Sequence, residues 1–313
     1  MGLFHCPFGV PYYDCEGCID CGMCLATTKE QMVEASKIVR EYLQSQQKED
    51  GVLKKIAVCG KGGVGKSTVV VLLANVFLGE GYSIAVMDTD ESNPGLSRLC
   101  GFAREPAPLM ELLRQVPDGQ STPDAEWLRK DRIAFEDVPA EYVVERDRFK
   151  FLMVGKIEDP FQGCACTMAD ITRDLVEKLI LQDREIMVID TEAGVESFGR
   201  GIERSVDTVL VIVEPSFQSI ALAERIYYMA GGMGIRRVRT ILNKVGSAQS
   251  EQKMIDELKK KNISVLGTIG FDNEINEAGF EGRELGCESK ASNDIKRMMK
   301  SLLGESQGIP LNR

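Results

Sequence analysis

The sequence predicts an α/β fold, a mostly parallel sheet with helices on both faces. From Lys54 onward seven apolar runs alternate with amphipathic stretches, a glycine-rich loop follows the first run, and two others carry aspartates at their ends. The runs are KKIAVCG, SIAVMDTD, FKFLMVGK, EIMVIDTE, TVLVIVEP, RVRTILNKV and SVLGTIGF. Each is short and nearly continuous in apolar residues, the pattern of a strand buried on both faces. Amphipathic helices between such strands make parallel crossovers, and ligands then bind beyond the carboxyl ends of the strands. The charged, proline-containing stretch from Glu105 to Glu145 is expected to be an insertion with short helices near that face.

A chain of 313 residues suits one main core with a small appendage. A content of 43% apolar and 27% charged residues is that of an ordinary globular protein. The net charge of −10 argues against a nucleic-acid partner, which needs clustered Lys and Arg. No run reaches the roughly 18 to 20 apolar residues of a membrane span, and MGLFHCPFGV lacks a basic region followed by an apolar core. A cytoplasmic protein without a membrane partner is expected. The amphipathic ending NDIKRMMKSLLGESQ is expected to dock on its own domain.

Three segments follow from composition. Residues 1–27 are rich in Cys, Gly, Pro and Tyr without helical or strand periodicity, so a ligand must hold them as a Cys-rich metal module. Residues 28–53 form a connecting helix and linker, with Met32, Ala35, Ile38, Val39, Tyr42 and Leu43 on one stripe before QSQQKEDG breaks it. Residues 54–313 form the α/β domain.

The run KKIAVCG leads into Gly60-Lys61-Gly62-Gly63-Val64-Gly65-Lys66-Ser67-Thr68 and then the apolar stretch VVVLLANVFLGEG. This is G-x-x-x-x-G-K-[ST] in the strand-loop-helix setting that a P-loop requires. The glycines let backbone N–H groups curl around phosphate oxygens, the helix presents its positive end, and Lys66 reaches the β- and γ-phosphates. Ser67 is the expected Mg2+ ligand. Asp88 and Asp90 end the second run, and Asp190 ends EIMVID.

The additional Lys61 in GKGGVGKS resembles the signature lysine of the deviant Walker A ATPases, a group within the SIMIBI type of P-loop NTPases that includes the nitrogenase iron protein and the Min and Par ATPases. The resemblance implies that ATP drives a homodimer in which Lys61 contacts the partner's phosphates. It implies that Asp90 orients or activates the attacking water, that Asp190 holds the Mg2+ shell, and that Gly194 is a hinge sensing the γ-phosphate. It also implies that Asn243 and Lys244 in ILNKV recognise the base, adenine, with the Lys stem packed on its face. Family members commonly place proline directly after the switch aspartate, whereas this chain has Glu91 there and a proline only at Pro94.

The ten cysteines of a chain with CxxC spacing and one histidine, His5, read as thiolate metal ligands. Cys164 and Cys166 lie one residue apart and cannot alone fill a tetrahedral shell, but a two-fold axis would join them into an S₄ site for nickel, zinc or a bridging cluster. Together with DTEAGVESFGRG and VEPSFQSIALAERI, the GCAC sequence resembles the carbon monoxide dehydrogenase nickel-insertion ATPases of the CooC type, from about Lys54 to Leu303. That likeness implies a client metalloenzyme of the carbon monoxide dehydrogenase kind.

Cys6, Cys15, Cys18, Cys21 and Cys24 form a second group, and CIDCGMC is similar to half a bacterial ferredoxin motif. The run continues LATTKE instead of reaching a further cysteine, so the fourth ligand of a [4Fe-4S] cluster would be Cys15 or Cys6. Zinc is the rival, although its cysteine pairs usually stand about 12 to 20 residues apart. Lone Cys59 reads as core. An ATP-gated electron donor, like the nitrogenase iron protein, is the alternative to a maturation ATPase.

Overall fold

β1 (Lys55–Gly60), the strand ahead of the glycine loop, lies inside an eight-stranded sheet. The computed structural model describes residues 53–91, 95–114, 123–155, 165–195, 205–235, 237–286 and 289–306, with positions 28, 30, 31, 33–35, 38, 198 and 201. The other strands are β2 (Ser83–Asp88), β3 (Val144–Arg146), β4 (Phe149–Met153), β5 (Glu185–Asp190), β6 (Thr208–Val213), β7 (Arg237–Val245) and β8 (Val265–Gly270). Their order is β3-β4-β2-β5-β1-β6-β7-β8, and every neighbouring pair is parallel except β3 with β4. All seven apolar runs are strands.

Alternation within the strands builds two cores. Ile56, Val58, Val86, Val188 and Ile212 face one core, while Ala57, Cys59, Met87, Ile189 and Val211 face the other. On the first side lies α1 (Lys66–Gly79), apolar nearly all round because it is sandwiched between the sheet and α8 (Lys290–Ser306). Ile295, Met298, Met299 and Leu302 of α8 are buried, so the amphipathic ending docks on its own domain. The second side carries α4 (Ala165–Lys178), α5 (Phe217–Gly232) and α6 (Ala248–Lys260).

The insertion bears out its sequence reading in part. The short helix α2 (Leu96–Leu99) lies just ahead of it, and it contains the short helix α3 (Glu111–Arg114) and 3₁₀ turns at Pro123–Arg129 and Phe135–Asp137. Its start and its end meet at the carboxyl end of the sheet, where the Leu109 N–H donates to the Met153 carbonyl and the Ala107 N–H donates to the Glu141 carbonyl (2.7 Å). In between it reaches the amino end, where Ile133 bridges Leu179, and it buries Trp127, Phe135 and Tyr142 in the second core. Those residues cover apolar sheet surface. β3 then returns as an antiparallel edge, turning at Asp147 with φ 55°.

Thr28 begins the connecting helix with reciprocal hydrogen bonds, Gln31 N–H to Thr28 Oγ1 (3.2 Å) and Thr28 N–H to Gln31 Oε1 (3.1 Å). The described positions from 30 to 38 are helical, and Ala35 is buried. No described helix is long and apolar enough to cross a membrane.

Candidate nucleotide site

Gly60 and Gly65 fix the loop. Gly60 has φ 149°, and a Cβ there would stand 2.6 Å from the Ile212 carbonyl oxygen; Gly65 has φ 94°, with Asn243 Nδ2 only 2.5 Å from where a Cβ would sit. Neither position accepts a side chain without rearrangement. Gly65 also begins α1 without a side-chain cap, whereas α5 and α6 are capped by Ser216 and Ser247. A glycine at this position sets no side chain over the first turn of α1, the end of a helix that favours phosphate.

Two consecutive residues of β7 brace this loop. Asn243 Nδ2 donates to the Val64 carbonyl (2.8 Å), and Lys244 Nζ donates to the Gly63 carbonyl (2.5 Å). The β7–β8 register shifts between Leu242 and Val245, and Lys244 takes φ 57°. Such an irregularity re-aims side chains at a strand end, here toward the P-loop. Both residues also line the nucleotide cavity, so base contact and bracing are compatible. Sequence reading missed the brace, because its partners lie far apart in the chain.

The cavity, of about 850 Å³, runs from Gly62–Val69 past Asp90, Asn243 and Lys244 to Ile269–Asp272 and α7 (Asn273–Glu281). Phe271 and Phe280 at its far end are 55% and 94% exposed. Phe271 directly follows β8, so the rule that ligands sit beyond strand ends was the signal that could have flagged it.

Below the loop, Lys66, Asp88, Asp90 and Asp190 are all buried. The Asp90 N–H donates to Asp88 Oδ1 (3.1 Å), and Thr89 donates twice to the Asp190 carbonyl. Asp190 accepts a hydrogen bond from Ser67, while its Oδ1 is buried without a hydrogen-bond partner. Burial, and then the neighbouring Asp88, push the Asp190 carboxyl up to about 7 against the pull of Ser67 and Lys66. An orphaned buried carboxylate oxygen beside a serine hydroxyl at a P-loop fits Mg2+, which binds through few protein oxygens plus phosphate and water. Gly194, with φ 99°, donates its N–H to the Gly60 carbonyl (3.1 Å), joining the expected hinge to the loop.

Lys61 stands apart. It is absent from the cavity wall, and its ammonium pairs with Glu214 Oε1 at 3.2 Å just beyond β6. Cys59 is fully buried core. Cys6, Cys15, Cys18, Cys21, Cys24 and Cys164 lie outside the described residues, and Cys166 falls in the first turn of α4. Among the described residues no three His, Cys, Asp or Glu side chains group as a metal site.

A parallel sheet with a P-loop between its central strand and a buried helix, flanked by strand-end aspartates, defines a P-loop nucleotide hydrolase. Residues 55–285 match the CobQ/CobB/MinD/ParA nucleotide binding domain, and the chain belongs to that family of ATPases. An ATP-binding protein of Methanocaldococcus jannaschii is 35% identical over 254 residues, covering 78% of this chain and 99% of that one. The carbon monoxide dehydrogenase accessory protein CooC of Rhodospirillum rubrum is 30% identical over 267 residues, 82% of this chain and 99% of its own. The MinD cell division protein of Aquifex aeolicus shares the fold, with a TM-score of 0.59 at 20% identity over 83% of this chain and all of that one.

Proposed function

We propose that this ATPase is a homodimeric maturation factor that delivers or gates a metal, nickel or a cluster, for a carbon monoxide dehydrogenase-like enzyme. The observation that carries the reading is the 30% identity to the accessory protein CooC along nearly the whole of that protein. In the hydrolysis step Lys66 and the α1 N–H groups hold the phosphates, Ser67 and Asp190 hold Mg2+, and Asp90 orients water for attack on the γ-phosphorus. The bond from that phosphorus to the β–γ bridging oxygen breaks, giving ADP and inorganic phosphate. Mg2+ supplies neutralisation of the phosphate charge.

The dimer reading draws support from Lys61, which lies beside its own nucleotide cavity instead of lining it. The metal reading draws support from topology. α4 runs back from the carboxyl end of the sheet, so its first turn, with Cys166, belongs to the same pole as Lys61. In this proposal Cys164 and Cys166 of two chains form one S₄ site, and four of Cys6, Cys15, Cys18, Cys21 and Cys24 hold a [4Fe-4S] cluster.

Metal analysis and visible spectroscopy of anaerobically purified protein test the proposal. Changing Cys164 and Cys166 together to Ala should remove one metal per dimer and spare the iron at the N-terminal cysteines. The CIDCGMC run favours a second reading, an ATP-gated reductase. A reducible cluster signal that survives Cys18→Ala with Cys21→Ala, and disappears with the Cys164 and Cys166 pair, would select that reading.

A further inference from the structure

Lys61 and Glu214 differ in how firmly each is held. Glu214 begins the turn from β6 into α5, where its N–H donates to Ser219 Oγ (3.1 Å) and its carbonyl accepts from the Ser216 N–H (2.6 Å). Ser216 Oγ in turn accepts from the Ser219 N–H (3.2 Å), capping α5. The carboxylate is thus mounted on a turn closed by three hydrogen bonds. Lys61 reaches it with a flexible four-carbon stem, and its side chain is 40% exposed against 21% for Glu214.

The geometry points to Glu214 as a positioning residue for Lys61, a latch that keeps in cis the lysine whose task is to cross to the nucleotide of a second copy of this chain. The inference rests on the homodimer reading above. For Lys61 to reach a partner's phosphates it must leave Glu214, and a dimer opens two latches. Solvent screens the pair, so each latch opposes release about 2- to 5-fold, which a polyanionic phosphate chain in a dry interface can overcome. Squared by symmetry, the pair weakens dimerisation about 4- to 25-fold. The latch raises the threshold for closure, so only a state in which phosphate holds Lys61 strongly brings two copies together.

Full-length protein with a non-hydrolysable ATP analogue or ADP, followed by sedimentation equilibrium, measures the dimer constant. Acylation of Lys61 in the nucleotide-free monomer, read by mass spectrometry, reports the pair directly. Glu214→Gln is expected to speed acylation about 2- to 5-fold and to tighten the dimer about 4- to 25-fold wherever Lys61 crosses, with Glu214→Asp between it and wild type. Faster acylation with an unchanged or weaker dimer overturns the latch, as does unchanged acylation. A wild-type protein that stays monomeric with the analogue overturns the homodimer reading itself, a result visible before any substitution is made.

Discussion

At the amino end of the sheet, Asp207 accepts hydrogen bonds from the Lys54 N–H (2.8 Å), the Lys55 N–H (2.6 Å) and Thr208 Oγ1 (2.7 Å), with Arg237 at 3.9 Å. Beside it, Glu305 takes two hydrogen bonds from Arg239 at 3.1 and 2.8 Å. At the carboxyl end of the same sheet, Asp190 sits among Asp88 and Asp90 with one oxygen unpartnered. Burial raises both aspartates, but donors oppose the rise at Asp207, whereas neighbouring carboxylates add to it at Asp190. Partly buried charge completed by the fold serves stability; buried charge left incomplete is reserved for a ligand.

The largest test of that contrast is Lys66→Ala, which should weaken nucleotide binding by about 100-fold or more in a fluorescent-nucleotide titration, since a charge-assisted phosphate contact is lost. Unchanged affinity would sink the P-loop assignment. Asp207→Ala should do the reverse. It should lower the unfolding free energy by about 2 to 4 kcal/mol in urea melts, because it leaves donors and Arg237 uncompensated, while nucleotide affinity of the folded protein stays as it was.

Asp190→Asn should abolish Mg2+-dependent turnover and alter the pH dependence of the ligand-free protein. Because the folded carboxyl titrates at about 7, above its ordinary value of 3.8, its protonated form contributes stability that is full below the ordinary value and is lost as pH rises from there to about 7. Wild-type melting temperatures should fall across that window. The Asn variant should lack this component, and Mg2+ with nucleotide should reverse it in wild type. The smallest effect is expected at the exposed Lys260–Glu257 pair on α6, where Glu257→Gln should leave the thermal midpoint unmoved.

The parts of the fold legible in the sequence were those with local causes. The first six runs are largely buried on both faces and declare themselves by continuous apolar residues, and β8, an edge strand with only Ile269 buried, keeps the same apolar pattern. β3 did not, because only Val144 of Val144-Glu145-Arg146 faces inward. The core contribution of the insertion was not legible because Trp127, Ile133, Phe135 and Tyr142 are spread too irregularly to show a period, yet they meet in one core. At the site, Lys66, Ser67, Asp90 and Asp190 were readable from motif and strand end. The contacts of Asn243 with Val64 and of Lys61 with Glu214 were not, since they join residues more than a hundred positions apart.

The place of β1 in the sheet also sets a timetable. Its two neighbours are β5 and β6, so Lys55 waits for Met187, about 130 residues further along, before either edge of the strand is paired. At about 5 to 20 residues per second of synthesis, that interval lasts about 7 to 26 seconds. For that time the glycine loop hangs from an unpaired strand and lacks the Asn243 and Lys244 contacts that brace it. The cysteines at 6 to 24 are made before any of this, so metal capture there during synthesis would begin well before the chain is able to turn over ATP.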